Sequence, residues 1–168
     1  MRQFFDTNVL VYSQDPREPK KREIARSLIG EATGADAFVL STQVLVEFYA
    51  ACVRRKLLGP VQALRLVQLW SEHDTVSHTP DLVVRGLGLH QTHSISMWDA
   101  LVIQAALDAR CDVLLSEDLQ HGRRFGDLEI RNPFVASGAH EQAAAPYLAR
   151  RKRKRKSKSK SKSAVRPR

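Results

Sequence analysis

Short apolar runs alternate with stretches of helical periodicity along most of this chain, and that alternation constrains its fold more than any other feature. Gln3–Phe5 reads as a short buried strand, and residues 20–31 carry Ile24, Leu28 and Ile29 at helical spacing. Residues 37–40 (AFVL) form a second strand. Ser41 or Thr42 then caps a helix over 43–56, which Gly59-Pro60 ends. Residues 61–73 bring Leu64, Val67 and Trp70 into phase, 75–77 make a brief strand, and Pro80 suits the start of a helix over 81–92. Ser96 precedes a helix over 97–110 that is apolar on nearly every side. DVLLS at 112–116 is a strand, and LEIR at Leu128–Arg131 is a last, edge strand. Strands alternating with helices imply an α/β fold of three layers, with a mostly parallel sheet covered on both faces.

The net charge of +9 points at first to a nucleic-acid binder, but it is unevenly distributed. Residues 150–168 hold 12 Lys/Arg and no acid, so residues 1–149 hold 15 bases against all 18 acids. The folded part is mildly acidic, and opposite charge blocks are read separately. The stretch RRKRKRKSKSKSKSAVRPR has no apolar periodicity to offset ordering entropy and reads as a disordered basic tail. The expected organisation is therefore one domain over 1–138, a connecting segment over 139–149 and the tail over 150–168. Cys52 and Cys111 sit in apolar helical stretches without CxxC spacing and read as reduced core residues. No signal peptide and no apolar run of about 20 residues is evident, so a soluble cytoplasmic protein with no membrane partner is expected.

Four acids occupy unusual positions. Asp6 ends the first strand, where a carboxylate is costly to bury without a partner; it also suits a turn or a helix cap. Glu47 lies in QVLVEFYAACV with Ala50 and Ala51 at its i+3 and i+4 positions, so no basic neighbour on the helix compensates it. Asp99 has Ser96 three residues before it, the spacing of a capping box at a positive helix terminus. Asp118 follows the strand VLLS; Glu117 is its equal in composition, and spacing does not separate the two. In an open parallel sheet, ligands bind beyond the carboxyl ends of the strands. Acids converging there without Lys or Arg raise one another's pKa unless a divalent cation holds them. An all-oxygen donor set suits Mg²⁺, with Mn²⁺ as the alternative.

FFDTNVLVY at 4–12, STQVLVEFYA at 41–50, SISMWDALVIQAA at 94–106, LLSEDLQHG at 114–122 and IRNPF at 130–134 together resemble the PIN-domain ribonucleases, in particular the VapC-type toxin branch. The resemblance spans roughly residues 1–135 and implies a PIN-like α/β/α sandwich. It also implies an acidic quartet of Asp6, Glu47, Asp99 and Asp118, with Thr7, Asn8 and Ser116 as supporting polar residues. On that basis Asp6, Asp99 and Asp118 bind Mg²⁺, and the reaction is hydrolysis of RNA phosphodiesters. Glu47 orients the attacking water, holds a second metal or acts as base. The resemblance further implies a cognate antitoxin and a homodimer, for which apolar surface on helices 43–56 and 61–73 is available. It says nothing of the tail, for which phosphate contacts to RNA are one reading. A haloacid-dehalogenase-type phosphatase needs a second acid at the position of Asn8. A receiver domain needs a phospho-acceptor Asp after a middle strand and a late Lys. A non-catalytic RNA-binding module explains the tail but leaves the four acids unexplained.

Overall fold

The computed structural model describes residues 1–135; the segments expected at 139–149 and 150–168 lie outside the described residues. The elements in chain order are β1 (Gln3–Phe5), α1 (Thr7–Tyr12), α2 (Pro19–Gly34), β2 (Phe38–Ser41), α3 (Thr42–Arg54), α4 (Pro60–Ser71), β3 (Asp74–Val76), α5 (Pro80–His93), α6 (Met97–Asp108), β4 (Val113–Leu115), β5 (Arg124–Phe125) and β6 (Leu128–Arg131). They build one sheet of order β3-β2-β1-β4-β6-β5, flanked by helices. All pairings are parallel except that of β5 with β6. The α/β class and the mostly parallel sheet expected from the sequence are both present.

The central strand is β1. Gln3 pairs with Phe38 of β2 on one side and with Val113 of β4 on the other. The chain leaves β1 toward β2 and β3, then returns through α5 and α6 to β4 on the opposite flank. The direction of winding therefore reverses between β1 and β4, which is where open α/β sheets form a crevice beyond their strand ends. Phe4, Phe5, Val39, Leu40, Leu114 and Ile130 are buried in the sheet, as strands covered on both faces require.

Local signals start the helices. The Ser41 hydroxyl accepts from Val44 N at 3.3 Å, and Thr79 from Leu82 N at 3.2 Å, each satisfying an amide of the first turn. α6 is buried from Ala100 through Ala106, matching its all-round apolar sequence. It packs against α5 at Gly86, where an added Cβ would stand 2.8 Å from Leu101 Cδ2 and 3.4 Å from Leu101 Cα.

Several details depart from the sequence reading. LEIR is an interior strand: β6 lies between β4 and the two-residue β5, which forms the edge. The six residues after Asp6 form α1, a helix the pattern did not reveal because Val9, Leu10 and Val11 are all buried and show no polar face. Ile24 and Leu64 are exposed, and the buried positions on α2 and α4 include the smaller Ala25, Ala32 and Ala63. Cys111 lies just beyond α6 rather than inside it. Both thiols are nonetheless free and buried, with burial pushing Cys52 up to about 11 and Cys111 up to about 12. Among the described residues no helix is long and apolar enough to cross a membrane.

Candidate active site

Asp6 stands one residue past β1, in the crevice between β1 and β4, and is only 9% exposed. Its burial is compensated by neutral donors. Thr7 N donates to Oδ1 at 2.7 Å, while Ser116 Oγ and Asn8 Nδ2 donate to Oδ2 at 2.7 and 2.9 Å. Ser116 is itself fully buried one residue past β4, so two adjacent parallel strands end in side chains that meet. Asp6 is thus both the cap of α1 and a buried carboxylate aimed across the strand ends.

Asn8 and Ser116 extend the network to Asp118. Asn8 Nδ2 lies 3.2 Å from Asp118 Oδ2, and Asp118 N donates to Ser116 Oγ at 3.2 Å. Glu117 turns the other way. Its carboxylate accepts from Tyr12 OH at 2.5 Å and forms an ion pair with Lys21, and only its backbone amide joins the network, donating to Asn8 Oδ1 at 3.2 Å. Geometry therefore separates two acids that spacing leaves equal: Asp118 shares a donor with Asp6, and Glu117 is neutralised by Lys21.

Glu47 reaches the same region from α3. Thr7 Oγ1 donates to its Oε2 at 3.0 Å, and Gln43 Nε2 donates to its Oε1 at 2.9 Å. Asp99 sits in the first turn of α6, where Ser96 Oγ accepts from Asp99 N at 3.1 Å. The cap uses the backbone amide of Asp99, while its carboxylate feels both Ser96 and the acids Asp118 and Glu47.

The electrostatics tie these acids together. Burial, opposed by the Ser116 and Thr7 hydrogen bonds and reinforced by Asp118 and Asp99, pushes the Asp6 carboxyl up to about 7. Asp99 is raised as well, by burial first and then by Asp118 and Glu47, with Ser96 working against the rise. Among the described residues no ion pair involves any of the four. The site is a concentration of negative charge held by neutral hydrogen bonds, a chemistry that fits a divalent cation. In the side-chain positions present, no three acids of the described residues close around a single point. A closed cage is not required for Mg²⁺, which binds through one or two carboxylates and keeps several waters.

The model of the PIN domain family matches residues 4–125. The chain belongs to the PIN domain family. No curated protein matches the sequence. Among solved structures, this PIN domain resembles VapC20 of Mycobacterium tuberculosis, a toxin that cleaves the sarcin-ricin loop, with a TM-score of 0.53 and 18% identity over 67% of this chain and 86% of that one. A toxin-antitoxin complex from Klebsiella pneumoniae aligns with a TM-score of 0.57 and 18% identity over 80% of this chain and 99% of the other. VapBC2 of Rickettsia felis, bound to a DNA fragment of its promoter, aligns with a TM-score of 0.59 and 16% identity over 79% and 98%. At these identities the likeness is one of fold.

Sequence reasoning missed two residues beside the candidate site of this PIN domain, Gln43 and His78. Gln43 stands one helical turn before Glu47, an i,i+4 spacing that was legible, and its Nε2 also lies 3.4 Å from Trp98 O. His78 follows β3 and packs against Thr42, with Oγ1 and Nδ1 3.1 Å apart; burial lowers its pKa, while Glu47 acts to raise it. No local pattern marks that residue, since β3 becomes the neighbour of β2 only in the folded sheet. Three other histidines, His90, His93 and His121, make contacts of their own. His90 Nδ1 meets Ile95 O at 2.6 Å, His93 packs edge-on against Phe125, and His121 Nδ1 accepts from Asn132 N.

Proposed function

We propose that this PIN domain is a Mg²⁺-dependent endoribonuclease and the toxin of a toxin–antitoxin pair. The observation that carries the reading is Asp6, buried in the switch crevice, raised to about 7 and coupled to Asp99 and Asp118 with no cation beside it. In this reading Asp6, Asp99 and Asp118 hold the metal. A bound Mg²⁺ or Mn²⁺ supplies Lewis-acid polarisation of a phosphoryl oxygen and a more acidic water. The chain's own residues supply the rest. Asn8 and Ser116 fix the rotamers of Asp6 and Asp118 through shared hydrogen bonds. Glu47, oriented at both oxygens by Thr7 and Gln43, accepts a proton from the attacking water or orients it. The sarcin-ricin loop cleaved by one solved toxin of the same fold supports an RNA substrate, and the toxin-antitoxin complex supports an antitoxin partner.

The test is cleavage of total cellular RNA with Mg²⁺, with Mn²⁺ and with EDTA. Metal-dependent cutting supports the reading. Binding without cutting in both metals supports a non-catalytic RNA-binding module instead. The two neighbouring acids give a sharper expectation. Asp118→Asn lowers the cleavage rate by about a hundredfold or more, as loss of a metal-holding carboxylate should. Glu117→Gln leaves the rate within a few-fold, because its partner is Lys21. Initial rates of the two purified variants decide between them.

The basic segment at 150–168 lies outside the described residues, and we assign it sequence-independent phosphate contacts to the RNA. Each single-strand phosphate it neutralises adds about 0.7 to the slope of log affinity against log salt. Truncation at 149 therefore flattens the salt dependence of RNA binding and leaves the rate at saturating RNA unchanged. An unaltered slope removes this role.

A further inference from the structure

α6 is buried from Ala100 through Ala106, yet its first turn carries Trp98, which is 59% exposed. Tryptophan is strongly buried on average, and this largely solvated one stands a single residue before a candidate catalytic acid. Trp98 immediately precedes Asp99. Its carbonyl oxygen lies 3.4 Å from Gln43 Nε2, the same nitrogen that donates to Glu47 at 2.9 Å. One amide group thus links the backbone that carries the indole to the carboxylate assigned to the attacking water. The acidic centre thereby has an exposed aromatic residue linked to it through Gln43.

We propose that Trp98 is a stacking platform for an unpaired nucleobase of the RNA, beside the phosphodiester placed at Asp6, Asp99 and Asp118. The inference rests on the reading that RNA is the ligand of this site. An acidic centre attracts phosphate only through its metal, and base stacking on its rim adds affinity there without charge or sequence preference. Trp98 orients the strand and does not touch the reacting atoms, so it is a positioning residue. The Gln43 hydrogen bond keeps the first turn of α6 in register with Glu47, which links the stacked base to the water.

The second tryptophan, Trp70, is buried against Phe38 and Phe48, so fluorescence accessible to solvent reports on Trp98. The probe is an unstructured 12-nucleotide RNA of mixed sequence, added to full-length protein in Mg²⁺ and followed by stopped flow within the first turnover. Indole quenching is expected, and Trp98→Phe loses that signal while keeping most of the affinity. Trp98→Ala weakens binding by about 5- to 150-fold. It raises the concentration of total RNA giving half-maximal cleavage by a similar factor, and it leaves any Mg²⁺-induced rise in melting temperature unchanged. Cleavage with no quenching and an unaltered half-saturating concentration in Trp98→Ala overturns the platform and spares the nuclease reading. Quenching without cleavage in Mg²⁺ or Mn²⁺ overturns the nuclease reading and keeps the platform. Sedimentation showing that Trp98→Ala splits a dimer, with RNA binding intact, assigns Trp98 to contacts between copies and overturns the proposal.

Discussion

Asp6→Asn abolishes cleavage, by about a thousandfold or more, and yields a metal-free protein that melts at a higher temperature than the parent at pH 8. The loss follows from removing the most buried of the carboxylates assigned to the metal. The gain follows from linkage. The Asp6 carboxyl rises from the ordinary 3.8 to about 7 on folding, with burial as the main cause. Its folded pKa exceeds its unfolded one, so the folded state binds more protons between those values, and stability falls as pH climbs from about 4 through 7. At 1.36 kcal/mol per pH unit the full penalty above pH 7 is about 4 kcal/mol. An asparagine avoids it but presents an amide where the carboxylate accepts from Thr7, Asn8 and Ser116, which returns part of the gain. A net rise of about 3–6 °C at pH 8, shrinking steadily toward pH 5, is the expected result. Mg²⁺ reverses the order, because a cation that binds only the folded parent stabilises it by mass action. Thermal melts of both proteins at pH 5 and 8, with Mg²⁺ and with EDTA, check this without any substrate. A parent no less stable than Asp6→Asn in EDTA at pH 8 contradicts the account.

Phe48→Ala and Glu47→Gln alter adjacent residues and fail in opposite ways. Phe48 is fully buried and meets the Trp70 ring at 4.8 Å, fastening α3 to α4. Truncation to alanine costs about 3–5 kcal/mol, lowering the melting temperature by roughly 10 °C or more. What cleavage survives well below that midpoint stays metal-dependent. Glu47→Gln keeps the volume and can still accept from Gln43 and donate to Thr7 Oγ1, so the melting temperature moves little. Its cleavage rate falls by about a hundredfold or more if Glu47 handles the proton of the attacking water. Circular-dichroism melts alongside initial rates separate the two effects. A Glu47→Gln enzyme of parental rate removes Glu47 from the chemistry.

The legibility of the fold varied with how local each signal is. α3, α5 and α6 begin close to where Ser41 or Thr42, Pro80, and Ser96 announce a start, because such signals are settled within three or four residues. α1 was hidden: six residues between a capping acid and Ser13 carry a nearly continuous apolar run, which periodicity cannot assign when every side is covered. LEIR was recognisable as a strand, but its place inside the sheet depends on β5, a two-residue element joined to it through Gly126 at a φ of +59°. So short a strand exists only because β6 is already there to pair with it.

For the candidate site, residue type and placement drew attention to Asp6, Glu47, Asp99 and the pair Glu117 and Asp118, since an acid beside a buried strand or in an apolar helix is costly without a purpose, and the family resemblance narrowed these to a quartet with Asp118. The physical basis for choosing Asp118 over Glu117 was not available from the chain, for it turns on Lys21, 96 residues earlier in sequence, reaching Glu117 across the fold. The same holds for the network around Asp6. Asn8 and Ser116 are 108 residues apart, and they meet because β1 and β4 pair in parallel and end at the same level. The sequence by itself determined the alternating α/β order, the helix starts and the acids worth watching, because capping, periodicity and the cost of burying charge all act over short range. Only the tertiary structure decided which carboxylates share a crevice, which is neutralised and how far Asp6 is raised. Those properties depend on distances and burial that arise when remote strands are brought side by side.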